Sequence, residues 1–531
     1  MFKLLPIILL GLPLLAQAQY SDTSKIATTQ KFNEVLTFID KLYVDKVDAK
    51  ELTEAAIVAM LEKLDPHSTY ISKDDVDDAN EKINGSFVGI GIRYQMFKDT
   101  LNVLATIPGG PSSKSGILPG DKILLVNGES IAGIGIKTLG VRERLMGDPG
   151  TKVKVQILRK KQKTLLDFNL TREKIPVHSV ECHYMLTNKI GYVKLNTFSR
   201  QSKDEVRQAI KNLQQMGMES LVFDLQDNGG GLLSTARELG DEFLSGKKLI
   251  VYSEGKAQPR QDMNAGDRGT FETGRLVILI DENSASASEI LSGAIQDWDR
   301  GVLIGRRSYG KGLVQRPINL TDGSQMRLTI ARYYTPSGRF IQKPYVDKDA
   351  YKNDYKLRYE SGELTSADSV KFPDSLKFKT LITKRTVYGG GGIMPDIFVP
   401  IDTSKITPSL RALLRTGYFN DFALTFVNEN RDDLMVKYPT FEQFKNGFKV
   451  DDKMVKDFIS YAKKEDKEIV LDDKELKMSD DNIKLRLMAN ITTDVWTGEM
   501  AYQILNKENP SILRAIKFIE SGEYDKVNID K

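Results

Sequence analysis

The sequence predicts an α/β core with a parallel-rich sheet, a small β-rich module before it, and α-helical regions at both ends. Three observations carry that expectation. Between residues 189 and 400, apolar runs of strand length alternate with segments of helical periodicity. Between about 85 and 174, short apolar runs are punctuated by glycine turns. Outside these blocks apolar residues recur at helical spacing among many charges.

Residues 1–18 read as an address. Lys3 gives a short positive start, Leu4 to Leu15 form an apolar run, and Ala16-Gln17-Ala18 sets small residues two apart, as a signal peptidase requires. A run of that length rises about 18 Å as helix, short of a hydrocarbon core of about 30 Å. The expectation is cleavage before Gln19 and an exported protein with no membrane span after signal removal. In a double-membraned bacterium that places it in the periplasm. Residues 19–82 form an N-terminal helical region. Val35, Phe38, Ile39 and Leu42 mark one face, and Ala55, Ala56, Ala59, Met60 and Leu61 build a second helix. Leu64-Asp65-Pro66-His67-Ser68-Thr69-Tyr70 reads as a turn, with His67 a local hydrogen-bonding residue.

The β-rich module spans 83–174. Phe87-Val88-Gly89-Ile90-Gly91-Ile92 opens it, Leu118-Pro119-Gly120-Asp121-Lys122-Ile123 follows, Val126-Asn127-Gly128 signals a hairpin, and Val153 to Ile157 alternates cleanly. This ordered set resembles a PDZ domain. The resemblance implies that an extended peptide adds to a sheet edge, its carboxylate held on backbone amides near Val88, Gly89 and Ile90.

The core spans 175–400. Ile190–Leu195, Ser220–Leu225 and Leu276–Ile280 are strand-like. The helices after them carry Val206, Ile210 and Leu213, then Leu232, Leu233, Ala236, Leu239 and Phe243, then Ile290, Leu291, Ala294, Ile295 and Trp298. In such folds chemistry gathers beyond the carboxyl ends of the strands. Residues 343–384, rich in Lys, Asp and Tyr, read as an exposed insertion, and 401–531 as an α-rich C-terminal domain.

Composition narrows the chemistry. Among 531 residues, 76 Lys and Arg face 72 Asp and Glu, so no polybasic field for nucleic acid exists. One cysteine, Cys182, and three histidines, His67, His178 and His183, argue against a disulfide framework and a metal centre. Cys182 beside His183 suggests a thiol nucleophile, but neighbours on a strand point to opposite faces, so a buried structural cysteine is expected.

Three loops remain for chemistry. Asp227-Asn228-Gly229-Gly230-Gly231 can present amides to a developing negative charge, cradle a phosphate, or turn a corner. Asp281 to Glu289 is a tight turn of small residues, where a serine can serve as nucleophile or cap the helix, Ser286 and Glu289 having capping-box spacing. Gly305 to Gln315 contains Lys311 between glycines; packed against the serine loop, the amine would be desolvated and available as a base. Gln315, four residues on, can aim it. In this order the loops closely resemble those of the C-terminal processing peptidases, or tail-specific proteases. The likeness covers about 30–400 and includes Asp65-Pro66, Gly392-Ile393-Met394-Pro395-Asp396, and the 25-residue gap from Ser286 to Lys311. Asp227 and the long tail depart from the pattern.

The resemblance implies a crotonase/ClpP-like α/β protease core and a serine endopeptidase acting on proteins recognised by their C-terminal tails. Ser286 is then nucleophile, Lys311 general base and Gln315 the group orienting it. Ala287 and either Gly229 or Gly230 supply the oxyanion amides, and no metal or organic cofactor takes part. The partners are protein or peptide substrates with free C-termini, and a homodimer is compatible with this organisation. The alternative is a non-catalytic PDZ peptide-binding scaffold.

Overall fold

The computed structural model describes residues 14–159, 162–266, 268–402 and 406–527; of the expected leader, residues 1–13 lie outside them. The chain divides into two compact units, Met1–Asp74 with Gln315–Thr329, and Asp75–Val314 with Ile330–Lys531.

In the first unit, α1 (Leu14–Leu42) and α2 (Ala49–Leu64) precede β1 (Thr69–Ile71). Asp48 caps α2 by accepting from the amides of Lys50 and Glu51. The Asp65 carboxylate closes the next turn, accepting from the amides of His67 and Ser68, both at 2.8 Å. β1 pairs antiparallel with the strand Gln325–Tyr334, Thr69 opposite Arg327. On α1 the apolar face stands open, Val35 being 51% and Phe38 59% exposed. No described helix is long and apolar enough to cross a membrane.

The second unit begins with α3 (Val76–Asn84), then the PDZ module: β2 (Ser86–Gly89), β3 (Ile92–Phe97), β4 (Thr100–Thr106), β5 (Lys122–Val126), α4 (Thr138–Leu145), β6 (Lys152–Leu158), β7 (Leu166–Thr171) and β8 (Glu173–Pro176). Its main sheet runs β3-β4-β5-β6-β7, all antiparallel, around a core that includes Leu101, Val103, Ile123 and Val155.

The α/β core follows: β9 (Val180–Met185), β10 (Ile190–Leu195), α5 (Ser202–Gln215), β11 (Ser220–Asp224), α6 (Leu233–Phe243), β12 (Arg275–Ile280), α7 (Ala287–Asp297), β13 (Val302–Gly305) and β14 (Ile397–Phe398). The order is β9-β10-β11-β12-β13-β14, with β9 antiparallel and the rest parallel. Alternation divides the strand side chains between two faces. Leu221, Phe223, Leu276 and Ile278 pack on α5, α6 and α7. Val222, Val277, Leu279 and Ile304 face the other way. Parallel strands place the loops after β11, β12 and β13 along one edge.

The C-terminal region contains α8 (Tyr418–Lys437), α9 (Asp480–Val495), α10 (Gly498–Leu505) and α11 (Pro510–Glu520). Its last helix does not stand apart: Ile512, Ala515, Phe518 and Ile519 cover the second face of the core sheet. One expectation is corrected here. Segment 343–384 is not simply exposed, since Lys343, Tyr351, Arg358 and Leu364 are buried. Its polar residues find partners only in the fold: Arg358 binds Glu363 at 2.6 Å and donates to the carbonyl of Arg307, also at 2.6 Å.

Candidate active site

β12 ends at Ile280, and the chain must turn sharply to start α7 at Ala287. Ser286 takes the strain, with φ +56° and ψ −112°, a conformation L-residues rarely adopt. It sits half-buried at the positive end of the α7 dipole. The adjacent Ala287 amide is the first of α7 and has no intrahelical partner.

Asn228, fully buried, fastens the glycine loop to this turn. Its carbonyl accepts from the Ala285 amide at 3.0 Å and the Ser288 hydroxyl at 2.8 Å, and its Nδ2 donates to the carbonyl of Leu195 at 2.7 Å. Its Oδ1 accepts the Gly230 amide at 2.9 Å. That bond engages the Gly230 N–H within the loop. At Gly229, open space lies beyond its Cα, and among the described residues no acceptor engages its N–H. Gly230 matters by what it lacks. A Cβ there would lie 2.8 Å from the Ala287 nitrogen and 2.9 Å from Ser286 Cβ.

Glu289 joins the serine turn to the lysine turn. Its Oε2 accepts the amides of both Ser286, at 2.8 Å, and Lys311, at 2.9 Å, so the two main chains meet on a single oxygen. Its Oε1 accepts the Gly310 amide at 2.7 Å and the Ser308 hydroxyl at 2.5 Å. Burial pushes the Glu289 carboxyl up, opposed by these bonds. The buried Tyr333 hydroxyl reinforces the junction, 3.2 Å from the Ser286 carbonyl and against that of Lys311. The Ser308 hydroxyl also accepts the Ile393 amide at 2.6 Å, which accounts for the Gly392-Ile393 motif.

A second carboxylate, Asp281, ties the glycine loop to the serine turn from outside. It accepts the amides of Asp227 and Asn283, each at 3.0 Å. Burial first, and the neighbouring Asp227 charge second, push it up to about 6. A carboxyl with a folded value above its unfolded value binds protons better when folded. Its stabilising contribution is therefore full in acid and lost as pH rises through about 6. Asp281→Asn is expected to flatten the decline of thermal midpoint between about pH 4 and 6; parallel curves for parent and variant would exclude this origin.

Among the other expected residues, Gln315 belongs to the first unit, where its amide donates to the carbonyl of His67. In the PDZ module a groove of about 180 Å³ is lined by Gly89 and Ile90, with Phe87, Tyr94, Arg142 and Leu145, whereas Val88 sits in β2 opposite Lys174. Cys182 is buried, which pushes its thiol up, away from nucleophilic use. Among the described residues no group of His, Cys, Asp or Glu is placed to hold a metal ion. Glu289 carried only a local capping signal in the sequence, and Tyr333 none.

Known families match successive parts of the chain: the activating protease CtpB N-terminal domain over 13–75, a PDZ domain over 88–170, peptidase family S41 over 189–351, and a family of unknown function over 409–498. The carboxy-terminal-processing protease of Bartonella bacilliformis is 35% identical over 375 residues, 68% of this chain and 85% of that protein. A probable CtpA-like serine protease of Staphylococcus aureus is 32% identical over 332 residues, 61% of this chain and 66% of the relative's length. The photosystem II D1 C-terminal processing protease has a solved structure that is 25% identical, covering 70% of this chain and 92% of that one, with a TM-score of 0.35.

Proposed function

Because the chain belongs to the carboxy-terminal-processing proteases of peptidase family S41, we propose that it is an exported serine endopeptidase whose nucleophile is Ser286 and whose general base is Lys311. The observation that carries this assignment is the shared Glu289 oxygen, which brings the strained serine turn and the lysine turn together. Ser286 Oγ attacks the peptide carbonyl carbon while the neutral Lys311 amine takes its proton. The amides of Ala287 and Gly229 receive the oxyanion. Lys311 returns the proton to the leaving amine as the tetrahedral intermediate collapses to an acyl-enzyme, which water then hydrolyses. The leader-like run before Gln19 supports export, to the periplasm of a double-membraned cell.

The PDZ groove holds the substrate's C-terminus, the peptide adding to the β3 edge and its carboxylate meeting backbone amides near Gly89 and Ile90. An unfolded substrate with a free C-terminus is expected to be cleaved about tenfold faster than its amidated twin, since hydrogen bonds to a charged group are worth about 1.5–3 kcal/mol. Equal rates would remove the groove from substrate selection. Labelling by a serine-directed fluorophosphonate that disappears in Ser286→Ala separates the peptidase from the non-catalytic scaffold.

The open apolar face of α1 supports a second copy of this chain as partner. Phe38→Glu should shift the sedimenting species from dimer to monomer; a parent that sediments as a monomer at tens of micromolar, a concentration on the order of a weak interface's Kd, would refute the dimer.

A further inference from the structure

The glycine loop is an unstable object by itself. Asp227 has φ +57°, Gly230 +97° and Gly231 +150°, so three of five successive residues leave ordinary backbone space. Such a loop keeps one shape only if its surroundings over-determine it. Asn228 does this downstream, and Gln226 occupies the equivalent place upstream.

Every polar atom of Gln226 is engaged. Its amide donates to Asp224 Oδ1 at 2.8 Å, and its carbonyl accepts from the buried Lys194 ammonium. Its side chain reaches away from the core strands to the start of α11. There Oε1 accepts from Asn509 Nδ2 at 3.1 Å, and Nε2 lies 3.4 Å from the Ser511 hydroxyl. Asn509 is itself the N-cap of α11, its Oδ1 accepting the amides of Ser511 and Ile512 at 3.0 and 3.3 Å, which fixes how its amide points. α11 is a firm anchor, being buried against the core sheet through Ile512, Ala515 and Phe518. These contacts lie on the wall of a cavity of about 710 Å³ between the carboxyl edge of the sheet and the C-terminal helices. Water there would satisfy the same atoms, so the direct bonds contribute direction beyond satisfaction.

Resting on the assignment of the oxyanion amides above, we propose that Gln226 is a positioning residue, and that the cap of α11 holds the oxyanion loop through it. The C-terminal region thereby acts on turnover without touching substrate. The bonds stand one residue before Asp227 and three before Gly229, and a displacement of about 1 Å in a catalytic group can cost about a hundredfold in rate.

The test compares kcat and KM per reactive serine, counted by the end point of fluorophosphonate labelling. Gln226→Met keeps volume and removes both side-chain bonds. It should lower kcat about tenfold, with KM unchanged and the serine count intact. Asn509→Asp retains the helix cap, and Gln226 can turn its amide to donate to the new carboxylate while accepting from Ser511; parent kcat is expected. If Gln226→Met does not fold, Ser511→Ala, which removes one bond, should still lower kcat about threefold. Parent kcat per serine in the Gln226 variant, or in Ser511→Ala should that variant not fold, overturns the proposal, as does a loss accounted for by fewer reactive serines. Gly230→Ala separates the two levels. If it retains parent turnover, the oxyanion assignment itself fails; if it is crippled while the Gln226 variant is not, only the positioning role fails.

Discussion

Ser286→Ala is expected to lower turnover of an unfolded protein substrate by about four to six orders of magnitude, and Lys311→Ala by nearly as much. The two substitutions together should cost little more than either one, because nucleophile and base act as a unit. Lys311→Arg should be as inactive as Lys311→Ala, since a guanidinium stays charged and cannot accept the serine proton. With the parent, the rate should fall on acidification as the amine takes up a proton; a profile flat from about pH 5 to 9 speaks against a lysine base. Substantial cleavage by purified Ser286→Ala, free of contaminating protease, sinks the assignment. The bonds from the Ser286 and Lys311 backbone amides to Glu289 remain available in each variant. Near-parent thermal midpoints are therefore expected, and they separate chemical loss from unfolding.

Glu289→Ala should produce the second-largest effect, for a different reason. Its carboxylate satisfies four donors from two loops: the amides of Ser286, Gly310 and Lys311 and the Ser308 hydroxyl. Each donor left buried without an acceptor costs about 1–3 kcal/mol, so several kcal/mol of stability are at stake. Turnover should fall by about a hundredfold or more even where the fold survives, because serine and lysine turns lose their common anchor. Glu289→Gln should recover only part, as one oxygen becomes an NH₂ facing other donors. Ser308→Ala takes one donor from Glu289 and the acceptor from the Ile393 amide, fewer bonds than Glu289→Ala removes, and should lie closest to the parent. Denaturant midpoints and kcat for the series would show it, and parent turnover in Glu289→Ala would rule out the clamp.

The fold was legible wherever periodicity is local. Apolar runs of strand length at 190–195 and 276–280 follow from burial on both faces, and helical spacing at 206–213 and 290–298 from one apolar side packed on the core, so strands and helices fell where expected. The insertion did not, because Arg358 and Lys343 read as solvent-facing charges until Glu363 and Asp354 arrive beside them. The tail was legible as helical, but nothing in the spacing of Ile512, Phe518 and Ile519 says that their partner is the core sheet. Likewise the sequence offered two glycines alike, and only the fold shows that an asparagine side chain engages the N–H of Gly230.

By itself the sequence determined the order of modules, the three loops at one sheet edge and the residue types able to form a serine–lysine pair, all of which depend on composition and short-range spacing. Only the tertiary structure decided how those loops are joined: by Glu289, Asn228, Tyr333 and the cap of the last helix. A hydrogen bond depends on distance and direction, and a buried polar group takes whichever partner the packing of remote segments brings within reach.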